Sequence, residues 1–239
     1  MEPVFADTLA LISKIPQDPS VRYKGLLKSR DSPILKGQSK YHVVNEDCVD
    51  ACVRIVQSNA GCRVGLLNMA SELCPGGGVK SGAVAQEESI CRRTTLYPTL
   101  TQQQYPLMHD EVIYTPNVKV VKDRSHARCP QINIAGIVSA AAIRRPTLSE
   151  FGELYKFDSD LLKNKIRMVL EVFEYAKMDH LVLGAWGCGA FCNPPKNVAA
   201  AFYEVLQDFY FENVTFAIIY PWARDKDNFD EFSRIFTGI

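Results

Sequence analysis

Residues 64–93 read VGLLNMASELCPGGGVKSGAVAQEESICRR and contain a complete strand–loop–helix unit. The first six residues are almost wholly apolar, which is typical of a short strand covered on both faces of a sheet. Residues 72–86 are rich in glycine and proline and are expected to form a loop. The acidic pair Glu87 and Glu88 then opens a predicted helix over 87–97, which ends before Pro98 because a residue preceding proline disfavours helical geometry.

Strands and helices alternate along the rest of the chain, and this alternation predicts an α/β fold built as a three-layer α/β/α sandwich. Asn45 or Asp47 is the expected N-cap of the second helix, and Pro16 and Pro19 follow the first. Residues 33–40 and 144–158 are predicted to be irregular. The predicted strands are 41–44, 64–69, 111–114, 117–122, 131–137, 180–185 and 214–220, and the predicted helices are 4–15, 47–58, 87–97, 159–177 and 197–211.

A second glycine-containing loop follows the predicted strand 180–185 and precedes a helix, as the first loop does. In open α/β sheets, ligands bind outside the carboxyl ends of the strands. Backbone N–H groups in residues 184–191, GAWGCGAF, could cradle a diphosphate without any net positive charge. A plain tight turn is the alternative interpretation of this loop considered alone.

Composition excludes several functional classes. The 27 basic and 27 acidic residues cancel, which argues against a protein that binds duplex nucleic acid through a basic surface. No apolar run reaches the roughly 18 residues of a membrane-spanning helix, and residues 1–15 lack the features of a signal peptide. The eight cysteines are therefore expected to be reduced structural thiols in a cytoplasmic protein, with a zinc site as the weaker alternative. No activating histidine accompanies Cys91, so a thiol nucleophile is not proposed.

The adjacent carboxylates allow two interpretations. Taken alone, Glu87 and Glu88 are stabilising charges in the first turn of a helix. Cleavage of a glycosidic bond, however, needs a carboxylic acid that protonates the departing oxygen. Neighbouring helical residues project about 100° apart, so one carboxylate can face the bond while the other holds the sugar. Arg92 and Arg93 could pair with them, although a solvated face is the favoured interpretation.

The residues Gly76–Gly77–Gly78, separated by seven residues from Gln86–Glu87–Glu88, resemble the signature of the poly(ADP-ribose) glycohydrolases. Segments 68–71 and 184–191 are similar to those of the compact microbial branch of that family. The resemblance extends over about residues 41–222. It implies one macrodomain-like catalytic domain, 1–239, with a mixed sheet and extra N-terminal helices in a flank formed by residues 1–40.

Carried over by position, the resemblance makes Glu88 the catalytic acid, which protonates the leaving oxygen and then deprotonates the attacking water. It makes Glu87 the group that binds ribose hydroxyls. Phe191 is expected to pack on the ligand, with core packing as the alternative, and Tyr220 or Trp222 to stack on adenine, with burial as the alternative. Neither a cofactor nor a metal is implied. The other predicted substrate-binding residues are Asn68, Gly76, Gly77, Gly78, Gln86, Gly187, Cys188, Gly189 and Ala190.

The leading hypothesis is an exo-acting hydrolase that releases ADP-ribose from poly(ADP-ribose). The expected partners are the polymer or another ADP-ribosylated macromolecule and the ADP-ribose product, with no membrane. We expect a monomer in the cytoplasm, or in the nucleus if the source is eukaryotic. One alternative removes a single ADP-ribose from a protein or nucleobase, with residues 101–128 as a candidate acceptor rim. Another is a module that binds ADP-ribose without cutting it, against which the intact carboxylate pair argues.

Overall fold

The computed structural model describes residues 1–26, 37–220 and 226–238. Within these ranges, seven strands form one mixed sheet. Its strands are β1 (Val21–Lys24), β2 (Lys40–Val44), β3 (Val64–Met69), β4 (Glu111–Lys122), β5 (Arg128–Ala140), β6 (His180–Leu183) and β7 (Asn213–Ala217). They lie in the order β1-β4-β5-β3-β6-β7-β2. The pairs β1–β4 and β4–β5 are antiparallel, and all other neighbouring pairs are parallel.

Helices cover both faces of this sheet. The first three pack on one face, where Phe5, Val49 and Ile90 join a single apolar core, and the last three pack on the other around Phe173, Phe202 and Phe232. The predicted three-layer α/β/α sandwich is therefore confirmed. The helices are α1 (Glu2–Ile12), α2 (Cys48–Ser58), α3 (Gln86–Arg93), α4 (Lys156–Tyr175), α5 (Pro195–Leu206) and α6 (Lys226–Phe236).

The central strand β3 has the bounds predicted from its apolar run. It pairs in parallel with β5 on one side and with β6 on the other. Leu67 faces the core beneath α4, whereas Val64 and Leu66 face the opposite core, so both sides of the strand are buried. Because β3 and β6 are parallel neighbours, the loops that follow them leave from the same edge of the sheet.

The predicted strands 111–114 and 117–122 are one continuous strand, β4, so the prediction of two separate strands is wrong. β4 runs through Pro116, which lies opposite Gly136 of β5. β1 pairs with β4 only as far as Tyr114, so the proline lies where β4 is an edge strand, a location in which proline is tolerated. Asn117 has a left-handed backbone, with φ of 51°, and the pairing with β5 continues in register from Pro116 to Val118.

The helix that begins with the acidic pair is shorter than predicted, because it ends at Arg93 rather than Tyr97. Thr94 has an extended backbone and bridges to Val120 of β4, so the chain leaves the helix there to join the sheet. Pro98 lies in a separate short 3₁₀ turn, Tyr97–Thr99.

The described part of the N-terminal flank differs from the extra helices that were expected of it. Its described part holds one helix, α1, and the unpredicted strand β1, which extends the sheet at the edge beside β4. Residues 33–36 of the predicted loop 33–40 lie outside the described ranges. The N-cap prediction for α2 is confirmed at Asp47, whose side chain accepts from the N–H groups of Val49 and Asp50. Helix α5 ends at Leu206 and strand β7 at Ala217, both earlier than predicted.

Candidate active site

A cavity of about 790 Å³ opens at the carboxyl edge of the sheet, where β3 and β6 end. Both glycine loops contribute to its walls, as the parallel arrangement of the two strands requires. Arg124, at the turn between β4 and β5, also lines the cavity. It is the residue that segment 101–128, the candidate acceptor rim, contributes to the cavity wall. The predicted site residues among its lining are Gly77, Gly78, Gln86, Glu87, Glu88, Gly187, Gly189, Ala190 and Phe191.

Four other predicted binding residues do not line this cavity, and their roles stay predictions. Asn68 is fully buried behind Glu87, and Gly76 and Cys188 lie within the two loops but away from the cavity surface. Tyr220 packs against Phe229, with ring centroids 4.8 Å apart, while the preceding residues 218 and 219 reach the cavity. Trp222 lies outside the described residues.

Gly77 allows the first loop to approach both carboxylates. Its backbone is left-handed, with φ of 55°, a conformation that favours glycine. A Cβ atom at this position would lie 2.5 Å from the Oε1 atom of Glu88 and 2.9 Å from the Oε2 atom of Glu87. Any side chain here would therefore displace the carboxylates.

Glu87 is buried and held at both carboxylate oxygens. Its Oε2 atom accepts from the backbone N–H of Ser71 at 2.7 Å, and its Oε1 atom accepts from Nδ2 of Asn68 at 3.3 Å. Burial raises the pKa of Glu87 to about 7, and these hydrogen bonds oppose that rise only in part. Near neutral pH the group is therefore a mixture of carboxylic acid and carboxylate.

Glu88 is also buried, but only one of its oxygens is engaged. Its Oε1 atom accepts from the backbone N–H of Gly78 at 2.8 Å. Its Oε2 atom is buried and has no hydrogen-bond partner among the described residues. A buried oxygen without a partner is costly, and because Glu88 is among the residues that line the cavity, this oxygen is the candidate for a hydrogen bond to a ligand. The two carboxylates are thus physically divided, with Glu87 anchored and Glu88 half free.

Gln86 connects the start of α3 to the end of β3. Its Oε1 atom accepts from the backbone N–H of Met69 at 2.9 Å, and its Nε2 atom donates to the carbonyl of Leu67 at 2.8 Å. The side chain thus pairs with the backbone of β3 as a neighbouring strand would, and it places the acidic pair directly beyond the strand.

The favoured prediction that Arg92 and Arg93 form a solvated face is wrong, because both side chains are buried. Arg93 donates from Nη1 to the Oδ1 atom of Asp47 at 2.6 Å and also pairs with Asp50, which joins α3 to the first turn of α2. Arg92 donates to the carbonyl of Ala83 in the first loop. Neither arginine forms an ion pair with the acidic residues of its own helix among the described contacts.

The second loop is shaped by Asn193, which the sequence analysis did not single out. Its Nδ2 atom donates to the carbonyl of Ile143 at 2.6 Å and to that of Gly187 at 3.2 Å. Gly187 has φ of 78°, and a Cβ atom there would lie 2.6 Å from Nδ2 of Asn193. No sequence signal identifies this contact, because it joins residues 50 positions apart.

The outer part of the second loop presents unused backbone donors. Within the part of the chain that the structure describes, the N–H groups of Gly189, Ala190 and Phe191 have no acceptor. The Phe191 ring is half-buried at the cavity wall, and the guanidinium of Arg144 lies 5.7 Å from its centroid. Free amides beside a cation are suited to bind a diphosphate.

The described residues contain no group of three or more His, Cys, Asp or Glu side chains that could hold a metal ion. All eight cysteines are free thiols, and burial raises the pKa of Cys48 and Cys91 far above the ordinary thiol range. Across the described ranges, no helix has both the length and the apolar character needed to cross a bilayer.

The fold and the cleft together define a macrodomain-like α/β protein with a divided pair of carboxylates and an anion-binding loop. Comparison with known proteins agrees with this class. The family model described as microbial-type PARG, catalytic domain, matches residues 18–123, where PARG denotes poly(ADP-ribose) glycohydrolase. No curated protein gives a significant match.

Solved structures extend the similarity along the chain. Poly(ADP-ribose) glycohydrolase from Thermomonospora curvata is 25% identical, with 98% of each chain covered and a TM-score of 0.83. The enzyme from Deinococcus radiodurans, in complex with ADP-ribose, is 30% identical, with 84% of this chain and 85% of that one covered and a TM-score of 0.72. This chain belongs to the microbial-type poly(ADP-ribose) glycohydrolase family, whose members are hydrolases of glycosidic bonds.

Proposed function

We propose that this chain hydrolyses the ribose–ribose O-glycosidic bonds of poly(ADP-ribose) and releases ADP-ribose. The observation that carries the proposal is the buried, unpartnered Oε2 atom of Glu88, a residue that lines the cavity beside the anchored carboxyl group of Glu87. Family membership supports the bond type, and the solved relatives include one in complex with ADP-ribose and one bound to the inhibitor ADP-HPD.

The terminal ADP-ribose unit is expected to lie between the two loops. Its diphosphate would accept from the free N–H groups of residues 189–191, and Phe191 would cover the ribose whose bond is broken. The Oε2 atom of Glu88 then donates its proton to the oxygen that leaves the anomeric carbon as the C–O bond breaks. The sugar becomes oxocarbenium-like, a water adds to the anomeric carbon, and Glu88 takes the proton that this water releases. Glu88 thus ends each cycle protonated.

Glu87 is proposed to bind the hydroxyls of the same ribose. With a pKa of about 7, its carboxyl group can accept or donate a hydrogen bond at neutral pH. Its partial neutrality also limits the negative charge beside Glu88 and the substrate diphosphate, which would otherwise repel the ligand. Anchoring by Ser71 and Asn68 prevents it from moving to the scissile oxygen.

Hydrolysis of poly(ADP-ribose) by wild type and by two variants tests the separate roles of Glu87 and Glu88. Glu88→Gln is expected to lower kcat for ADP-ribose release from the polymer by about 10²–10⁴-fold, the range typical of a lost general acid. Glu87→Gln is expected to cost less in kcat and more in KM. Glu204→Gln, the same exchange at an exposed position near the C-terminal end of α5, is the matched control and retains wild-type activity.

Each contrary result has a distinct meaning. Equal release by wild type and Glu88→Gln would show that another group is the acid. If wild type binds ADP-ribose but releases none, the protein is a binding module. If it releases ADP-ribose from mono-modified protein or modified DNA but not from polymer, the substrate is a single ADP-ribose, and the proposal fails at the substrate while the chemistry stands.

A further inference from the structure

The segment between β5 and α4 exposes an unusual amount of aromatic surface. Residues 148 and 154 form an isolated β-bridge, and the chain turns between them with Phe151 at the tip. Phe151 is 81% exposed, Phe157 is 78% exposed and Tyr155 is 53% exposed, whereas among the other aromatic residues that the structure describes only Tyr175 and Tyr203 are exposed. Large exposed aromatic groups concentrated in one short segment mark a binding surface. We refer to Phe151, Tyr155 and Phe157 as the aromatic rim.

The aromatic rim lies beside the cleft. The segment begins at Arg144, which lines the cavity, and the backbone N–H of Arg145 donates to the carbonyl of Phe191 at 2.8 Å. Farther along, Glu153 pairs with Lys196 at the start of α5 at 2.7 Å. Helix α4 follows β5, so its N-terminal end, which carries Phe157, lies at the sheet edge where β5 ends and the cavity opens.

In the chain, two arginines lie between the cleft and the aromatic rim, while the rim segment itself also carries the acidic residues Glu150, Glu153 and Asp158, the second of which pairs with Lys196. Arg145 is exposed, and its side chain has no acidic partner among the residues the structure describes. Arg144 pairs with Glu72 but remains half exposed at the cavity mouth. The surface therefore offers cations next to flat apolar groups, the combination that binds single-stranded polymers made of bases and phosphates.

The substrate has the complementary chemistry. A cavity of about 790 Å³ is the size of a single ligand site, so a bound polymer must leave it after about one unit. Every further unit carries an adenine and two phosphates. On the basis of the proposed function, we propose that the aromatic rim and Arg145 bind the poly(ADP-ribose) chain outside the cleft. The rim rings stack on adenine, and the arginine contacts the diphosphate that precedes it.

Binding to polymer and to monomer separates this surface from the cleft. In Glu88→Gln protein, which spares the polymer, the dissociation constants of ADP-ribose and of polymer several units long are measured with and without Phe151→Ala plus Phe157→Ala. The double substitution is expected to weaken polymer binding about 10-fold or more and to leave ADP-ribose binding within about twofold, because each lost stacking platform removes one base contact.

Tyr175 provides the matched control. It is a 71% exposed aromatic residue at the C-terminal end of α4, at the opposite edge of the sheet, and Tyr175→Ala is expected to change neither constant. Equal loss of both ligands, or unchanged polymer binding, overturns the proposal. Concentration-dependent dimers of the protein that the double substitution abolishes would overturn it in favour of a second copy as the occupant. Hydrolysis of polymer by the wild-type chain is scored separately, so failure of the proposed function remains distinguishable.

Discussion

Replacing Glu87 with glutamine changes how the stability of this protein depends on pH. Burial raises the pKa of Glu87 from an ordinary 4.5 to about 7 in the folded state. Below pH 4.5 the group is protonated whether the chain is folded or not. As pH rises towards 7, the unfolded chain loses the proton while the folded chain retains it, so wild type loses stability, and the loss becomes constant above pH 7.

The size of this effect follows from the two pKa values. The full difference between 4.5 and about 7 corresponds to about 3 kcal/mol, of which about 2.5 kcal/mol develops between pH 5 and pH 8.5. A glutamine cannot ionise and is free of this loss. The substitution also disturbs the hydrogen bonds of Asn68, whose Nδ2 atom donates to both Glu87 and Ser139, but this cost does not depend on pH and cancels when the two pH values are compared.

Urea unfolding without ligand, followed by circular dichroism at pH 5 and pH 8.5, measures the effect. The stability of Glu87→Gln relative to wild type is expected to rise by about 2.5 kcal/mol between the two pH values. Glu150→Gln, which exchanges an exposed glutamate, is expected to follow wild type. Parallel pH dependence of wild type and Glu87→Gln would refute the argument that burial holds the proton on Glu87.

Two further perturbations test the packing around the site. Arg93→Met removes the cation from a buried pair with Asp47 and is expected to destabilise the fold by about 3–5 kcal/mol. Arg54→Met, at a surface pair, is expected to cost about 1 kcal/mol or less. Urea unfolding compares the two variants, and equal costs would contradict the argument that burial makes the Arg93 pair important. Gly187→Ala places a side chain on a left-handed backbone and is expected to cost about 1–3 kcal/mol and weaken ADP-ribose binding. Gly189→Ala meets no atom within 4 Å and is its control in thermal unfolding, while calorimetry compares ADP-ribose binding by Gly187→Ala with that by wild type. Matching losses of stability in the two variants would show that backbone geometry at Gly187 is unimportant.

Short-range sequence patterns were sufficient to predict the framework of the fold and the position of the acidic pair. The apolar run of β3, the Asp47 cap of α2 and the two glycine loops each depend on a few neighbouring residues, so their patterns survive in the sequence. Parallel strands then place both loops at one edge. The brief α3, by contrast, was predicted too long because its end is set by a bridge from Thr94 to Val120 of a distant strand.

The surroundings of the charged side chains in α3 could not be predicted from the sequence alone. A short helix with two arginines in its last turn looks solvated when only its own residues are considered. α3 is instead covered on nearly every side, and the partners of Arg93 come from α2, more than forty residues earlier. The position of β1 beside β4 similarly depends on a pairing across about ninety residues. No short turn joins the two strands, so the sequence gives no local signal that they pair.

The residue identities thus specify the backbone alternation, the glycine positions where left-handed geometry is needed and the presence of two adjacent carboxylates, since these are short-range preferences. Folding adds the distinction between the carboxylates. Adjacent in the chain, Glu87 and Glu88 acquire different roles because Ser71 and Asn68 engage both oxygens of the first, while Gly78 engages only one oxygen of the second. Hydrogen bonding and desolvation act through space, so the proton affinity of Glu87 and the free oxygen of Glu88 exist only once the loop, the strand and the helix meet.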